Sequence, residues 1–402
     1  MREWILAMLG ISALLLIRDM AKIISSGRKT TQVETIYDNH PQKMKMEKYA
    51  ESFERLAESF YRMTNSSNLN QIAVAEQLDE MSHILKKMAE EFYHITMLPV
   101  DLYDQLMRTL KKERILLKQA WRIAYQDGSE QIILNVCTKG GQCIPVTEVA
   151  QILSSVAGKR MMPVAESRRI VNERENIIRF AEEVNFRVMY GVARAAKDSS
   201  NVSGDNFACM TQREGETILC LADGMGSGLL ACQESEQVVD LLEQFLDSGF
   251  SKETAAKMIN SALVLGQDGD MYSTVDICTL NLYTGVCEFL KAGAATTFIK
   301  RSEWVETITS TSLAVGLLQQ ADYEVLSKKL YPGDYLIMVT DGVLDALPFE
   351  KEEETMKEII MTTKNRSPKE MGRVILERVM SFNNYRAMDD MTVLVAGMWN
   401  NS

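Results

Sequence analysis

Apolar residues return in steps of four and three along the early part of the chain: Tyr49, Phe53, Leu56, Phe60 and Met63, and then Val74, Leu78, Met81, Leu85, Met88, Phe92 and Ile95. That spacing places one apolar stripe on each of two helices and matches coiled-coil periodicity. The polar stretch from Thr64 to Asn70 breaks the pattern. The spacing therefore predicts two amphipathic helices, and leaves open whether they pair as a hairpin, pack on their own domain or form the seam of a homodimer through residues 49–95.

Ahead of them, Trp4 to Ile17 is an uncharged apolar run with Arg2 before it and Arg18, Lys22, Arg28 and Lys29 after it. It is shorter than the about 20 residues a spanning helix wants. The charge excess follows the run and no A-x-A site comes next, which is unlike a cleaved signal peptide. The expectation is a membrane-attaching segment with the rest of the chain on the cytoplasmic side, against the alternative of a buried or interfacial helix.

From Leu98-Pro99 the texture changes. Asp101 to Lys112 reads as a helix, and Ile115 to Tyr125 and Gln131 to Thr138 read as strands around Asp127-Gly128. Val146 to Ala157 reads as a helix opened by Pro145, and Asn176 to Lys197 as two strands joined near Glu183 to Asn185. Apolar stripes over Ser251 to Leu265 and Met371 to Met380 predict core helices, and the acidic cluster Glu350 to Glu354 a solvated helix start. The organisation this predicts is a membrane segment and basic flank over 1–30, an amphipathic helical region over 31–98, a small α/β module over 99–175 and a larger domain over 176–402.

Composition narrows the chemistry. In 402 residues, 44 Lys and Arg face 55 Asp and Glu, a net charge of -11, which excludes the basic footprint a nucleic-acid partner needs. Seven scattered cysteines without C-x-x-C spacing suggest neither a disulfide framework nor a thiolate zinc site, and fit a reducing compartment. Histidine occurs only at positions 40, 83 and 94, so the last three quarters of the chain must rely on carboxylates, lysines or cysteines.

Four acidic motifs stand there: Ser203-Gly204-Asp205-Asn206, Ala222-Asp223-Gly224-Met225-Gly226-Ser227-Gly228, Thr340-Asp341-Gly342 and Met388-Asp389-Asp390-Met391-Thr392. Apolar runs precede the second and third and follow the fourth, so the aspartates fall at strand ends. An Asp-Gly at the end of a buried strand offers a carboxylate and a free carbonyl, and several such ends can build an all-oxygen site. Magnesium and manganese want those ligands and need no histidine or thiolate. Two such ions can clamp a phosphate and activate a water for in-line attack, which points to phosphomonoester hydrolysis. A single Asp-Gly is also the commonest hairpin turn; the weight lies in the ordered set. The spacing G-x-G-x-G, led by an aspartate, does not suit a dinucleotide, and no G-x-x-x-x-G-K-[ST] occurs.

Taken together, these motifs resemble the metal-dependent serine/threonine phosphatases of the PP2C (PPM) class. With Tyr190 to Lys197 and Ser273-Thr274-Val275-Asp276 they resemble more narrowly the stage II sporulation protein E family. The resemblance covers Asp101 to the C-terminus. It implies an α-β-β-α sandwich of two antiparallel sheets flanked by helices, preceded by a regulatory α/β module. It implies a centre of two Mn2+ or Mg2+ ions held by Asp205, Asp223, the Gly224 carbonyl, Asp341 and Asp389, the four aspartates being the catalytic set. Asp390 is the alternative to Asp389, and Asp345 is a candidate for a third ion. Arg194 and Lys197 are candidates for orienting substrate phosphate. Met225 stands where many relatives have a histidine, which leaves a metal-bound water to protonate the leaving alcohol.

The implied substrate is a phosphorylated anti-anti-sigma factor whose dephosphorylation activates a sporulation sigma factor. The implied switch has helices of the regulatory module complete the metal site. The family's members carry about ten membrane spans and contact the division site; this chain shows one apolar segment. Two other readings remain at this point: a stress-pathway partner-switching phosphatase, and a non-catalytic membrane or division-site scaffold with a vestigial phosphatase fold.

Overall fold

The computed structural model describes residues 48, 50–55, 57–58, 78–79, 81–83, 85–86 and 94–401, the last range apart from 125–129, 165–166, 199, 201, 214, 248–251, 265–271, 318–322 and 365–366. The expected membrane segment and residues 1–47 lie outside the described residues, and among the described ones no helix is long and apolar enough to cross a membrane. The described residues between 48 and 58 and between 78 and 86 are helical, as the stripes predict, but Ile95, the last residue of the second stripe, lies in a strand, His94–Met97, whose pairing with the strand opposite replaces the helix there. Ala50, Ala57, Leu78 and Leu85 are buried, and Lys86 Nζ meets Glu54 Oε2 at 2.7 Å. That pair joins the two stripes within one chain, as a hairpin would.

The chain divides into two compact units between Glu183 and Val184. In the first, strands β1 (His94–Met97), β2 (Ile115–Ala124) and β3 (Glu130–Thr138) are accompanied by helix α1 (Val100–Lys112). The short strands β4 (Ile144–Pro145), β5 (Met161–Pro163) and β6 (Ile170–Val171) follow, with α2 (Val146–Ala157) after β4, and β7 (Asn176–Glu182) ends the unit. The five-stranded antiparallel sheet runs β1-β2-β3-β7-β5, and β4 pairs with β6. Leu106 and Leu110 of α1 and Val149 and Leu153 of α2, each pair one turn apart, pack on Ile132, Leu134, Ile178 and Phe180 of the sheet. Gly158 ends α2 in the left-handed conformation, at φ 71°. The sequence groups Asn176 to Glu182 with the following domain. In the structure β7 pairs with β3 and β5, because its alternate residues Ile178 and Phe180 complete the first unit's core.

The second unit contains two five-stranded antiparallel sheets. Its strands are β8 (Phe186–Ala195), β9 (Asp205–Arg213), β10 (Glu216–Gly224), β11 (Ser273–Asn281), β12 (Val286–Ala292), β13 (Thr297–Lys300), β14 (Val305–Ile308), β15 (Val325–Lys329), β16 (Tyr335–Val339) and β17 (Met391–Asn400). One sheet is ordered β15-β12-β11-β10-β9 and the other β14-β13-β16-β17-β8. Helices α3 (Leu229–Asp247) and α4 (Lys252–Val264) accompany the first; α5 (Asp341–Asp345), α6 (Glu352–Thr362) and α7 (Pro368–Ser381) accompany the second.

Strands β16 and β17 show why this architecture needs continuous apolar runs. Leu336, Met338, Leu394 and Met398 point into the space between the sheets, where they meet Leu219, Leu221, Cys278, Leu280 and Phe289. The alternating residues Tyr335, Ile337, Val339, Val393 and Val395 face the other way, onto Met356, Ile360, Met371, Ile375 and Val379 of α6 and α7. Both strand faces are covered, so no position is left for a polar alternation. This is the α-β-β-α layering expected, and the stripes of 251–265 and 371–380 supply buried core: Ala255, Met258 and Ile259, and Met371, Ile375 and Val379. The seven cysteines are separate thiols.

A charged pair interrupts the apolar layer. Lys291 and Asp276, paired across β12 and β11, have side chains 1% and 2% exposed. Lys291 Nζ donates to Asp276 Oδ2 and, at 2.8 Å, to Thr297 Oγ1. Removing one charge from such a pair strands the other in an apolar surrounding, whereas replacing both does not. Asp276→Ala is expected to lower the unfolding free energy by about 3–5 kcal/mol, and the double change Asp276→Leu with Lys291→Met by much less. Urea unfolding of the three proteins measures the difference.

Candidate active site

Strand β9 begins at Asp205 and β10 ends on Asp223-Gly224, and the antiparallel register sets Asp223 directly opposite Asp205. Opposed residues of such a pair project from the same face with Cβ atoms about 5 Å apart. Two carboxylates are thereby brought together by backbone pairing alone. Gly224 occupies a place no other residue fits: a Cβ there would lie 2.2 Å from the Ala231 carbonyl oxygen, at the first turn of α3. The buried Ser273 hydroxyl donates to the Asp223 carbonyl oxygen at 2.6 Å and fixes the peptide that leads into Gly224.

The second sheet brings its own acids to the same place. Asp341 follows β16 and opens α5, and Asp389 and Asp390 lead into β17, the partner of β16. Thr340, one residue before Asp341, donates its hydroxyl to Asp205 Oδ2 at 3.0 Å and so ties the end of the second sheet to the start of β9.

Burial raises the Asp205 carboxyl to about 6, opposed by the hydrogen-bonding groups of Thr392, Thr340 and Asp223 and assisted by the Asp390 charge. Burial followed by the charges of Asp205 and Asp341 raises Asp223 further, to about 9. Asp345 also titrates above its ordinary range, through burial and then the charges of Asp341, Asp389 and Glu352. The charges acting on Asp223 and Asp345 place Asp205, Asp223 and Asp341 in one electrostatic cluster, with Asp345 and Asp389 at its border.

The remaining candidates separate by what their oxygens already do. Both oxygens of the buried Asp390 are engaged, Oδ1 by the Lys197 backbone N–H at 2.9 Å and Oδ2 by that of Gly204 at 2.8 Å. The residue held as the alternative ligand is therefore a clamp on the loop before β9. Half-exposed Asp389 faces Lys197 Nζ at 3.6 Å, which sets a cation beside the carboxylates where a phosphate would need one. Arg194 is turned elsewhere: its guanidinium donates to the Asp205 backbone oxygen and lies 5.9 Å over the Phe207 ring. Met225 is exposed at the rim. Asn206, the last residue of the first motif, reaches α3 through Cys232 O at 3.0 Å and Ser235 Oγ at 2.9 Å.

Sequence reasoning missed Thr340, Thr392 and Ser273. Each sits within or beside a quoted motif, and a hydroxyl residue at the end of an apolar strand is the signal that could have found them. Among the described residues, no three His, Cys, Asp or Glu side chains converge tightly enough to enclose an ion. The donor set nevertheless suits a hard divalent cation. It is all oxygen, the charges of Asp205 and Asp341 push the Asp223 titration upward, and Asp205 Oδ1 is buried with no hydrogen-bond partner.

Residues 213–398 match the family model described as stage II sporulation protein E. The chain is 29% identical over 331 residues to stage II sporulation protein E of Bacillus subtilis (strain 168), covering 82% of this chain and 40% of that protein. It is also 29% identical over 332 residues to the protein of that name from Priestia megaterium, covering 82% and 56%. The chain thus spans about half the length of the curated relatives it matches. Among solved structures, the PP2C phosphatase domain with a fragment of the regulatory domain of SpoIIE from Bacillus subtilis aligns with a TM-score of 0.62 at 28% identity, covering 88% of this chain and 98% of that one.

The raised titrations fix how stability depends on pH. A carboxyl whose folded pKa, about 9, exceeds its unfolded value of 3.8 binds more protons in the native state between those values, so stability falls as pH rises across that window. In chelator, the melting temperature is expected to decline from pH 5 toward pH 9. Asp223→Asn should flatten that decline, as should added Mn2+. Thermal scans across this pH range provide the measurement.

Proposed function

We propose that this chain, whose residues 213–398 match the family model described as stage II sporulation protein E, is a metal-dependent phosphoserine protein phosphatase of the PP2C type. The observation that carries the reading is the opposition of Asp205 and Asp223 across β9 and β10, with Asp341 close enough to raise Asp223 and a buried Asp205 oxygen left without a partner. Asp205, Asp223, Asp341 and Asp389, with the Gly224 carbonyl, would hold Mn2+ or Mg2+, and Asp345 stands where a further ion would be served. Bound there, a pair of such ions supplies the phosphate clamp and the activated water of in-line phosphoester hydrolysis.

The protein's own groups do the rest. Asp205 and Asp223 concentrate negative charge at one point, so the site favours divalent cations over protons as pH rises. Lys197, next to Asp389, offsets part of that charge and orients the incoming phosphate. Asp390 keeps the Lys197 and Gly204 peptides in place by accepting both N–H groups. Arg194 holds the Asp205 main chain and contributes its charge from the rim. Met225 carries no transferable proton, so protonation of the leaving serine falls to solvent at the site.

The substrate we propose is a phosphorylated anti-anti-sigma factor, whose dephosphorylation activates a sporulation sigma factor. The first unit and the helical residues ahead of it form a regulatory region in this reading. The Glu54–Lys86 pair favours a helical hairpin there, with a second copy of the chain as a further partner of its exposed faces. The catalytic unit acts in the cytoplasm, attached to the membrane through residues 4–17 and positioned by division-site proteins.

Phosphate release from a phosphoserine anti-anti-sigma factor is expected to require Mn2+ or Mg2+, and to fall at least about 100-fold in Asp223→Ala, whose lost carboxylate would cost the site a ligand. Malachite-green assays with and without chelator measure this. Wild-type rates in the variant would move the activity to another site.

A further inference from the structure

Two buried threonines stand beside the carboxylates at the end of the second sheet. Thr340 and Thr392 are 4% and 0% exposed and lie side by side at the ends of β16 and β17. The Thr340 backbone N–H donates to Thr392 O at 3.2 Å. The Thr392 backbone N–H donates in return to the Thr340 hydroxyl oxygen at 2.9 Å, in place of a further rung of the ladder. The Thr340 hydroxyl is in turn 3.0 Å from Asp205 Oδ2.

The direction of each hydrogen bond follows from what the groups can do. A backbone N–H only donates, so Thr340 Oγ1 must accept from Thr392. A hydroxyl has one hydrogen, and the remaining neighbour within reach is Asp205 Oδ2, so that hydrogen points at the carboxylate. Oδ2 is thereby engaged as an acceptor, and the carboxylate plane is fixed by an element of the opposite sheet. Oδ1 is left buried with no partner. Thr392 Oγ1 is also buried with no hydrogen-bond partner. Buried unpaired oxygens are rare in folded proteins, and a bound ion or water is one of the causes that account for them.

We propose that Thr340, supported by Thr392, is a positioning residue that locks Asp205 through Oδ2 and presents Oδ1 to a divalent cation. It would be the link through which the second sheet holds a ligand belonging to the first. The inference rests on the reading of Asp205 as a cation ligand.

The test is Mn2+ titration of the full chain, with free Mn2+ followed by its electron paramagnetic resonance signal and unfolding in chelator measured in parallel. Thr340→Val keeps the shape and deletes the hydroxyl, and is expected to weaken the tightest Mn2+ site by about 10- to 100-fold, as loss of a group orienting a ligand does. Thr340→Ser keeps the hydroxyl and should bind within about threefold of wild type. A purely structural threonine would lower the melting temperature in chelator and leave Mn2+ affinity unchanged, so a folded Thr340→Val protein with wild-type affinity overturns the proposal. If that variant fails to fold, Thr392→Val leaves the Thr392 N–H on Thr340 and removes only the second hydroxyl. A loss of several-fold in affinity then supports the proposal and an unchanged affinity overturns it. Absence of Mn2+ binding by the wild type would overturn the metal reading itself, and the proposal with it.

Discussion

The antiparallel pairing of β9 with β10 is the constraint on which the site depends. Backbone hydrogen bonding places Asp205 and Asp223 face to face, a juxtaposition that their charges oppose. Like charges at short range in a poorly solvated place raise each other's titration, and Asp223 shows the effect most strongly. A sequence retains such an arrangement against its electrostatic cost when the carboxylates are needed together. A divalent cation bound there would remove the repulsion and fill the coordination that Asp205 Oδ1 lacks.

Everything around this pair serves to keep it in place. The two-sheet core sets the ends of β9, β10, β16 and β17 at one edge, with apolar side chains facing both the opposite sheet and the helices. Gly224 permits the close approach of α3, Ser273 fixes the peptide before it, and Asp390 fastens the loop that leads into Asp205. The carboxylates thus belong to rigid strand ends, and only Asp341, Asp345 and Asp389 stand in more exposed positions. That division would suit a site that holds cations firmly and still admits a protein-borne phosphate.

Much of this was legible in the chain. The apolar runs flanking Ala222-Asp223, Thr340-Asp341 and Met391-Thr392 located the strand ends, because a strand covered on both faces has no polar alternation. The helices at 100–112 and 146–157 announced themselves by their periodicity and the prolines before them. What could not be read was partnership across long separations. Asn176 to Glu182 looks the same as a strand of either unit until its pairing with β3 is seen. Asp389 and Asp390 are adjacent and chemically identical; only burial and the positions of two distant N–H groups separate a clamp from an open carboxylate. The Lys291–Asp276 pair and the Thr340–Asp205 contact likewise join residues whose closeness no local pattern encodes.

In this reading the strand-end carboxylates gather divalent cations. Anomalous diffraction at the manganese edge from crystals grown with Mn2+ tests it most directly. Anomalous peaks are expected within coordination distance, about 2.0–2.6 Å, of carboxylate oxygens of Asp205 and Asp223. Peaks confined to other parts of the molecule, with these two carboxylates free of density, would contradict it.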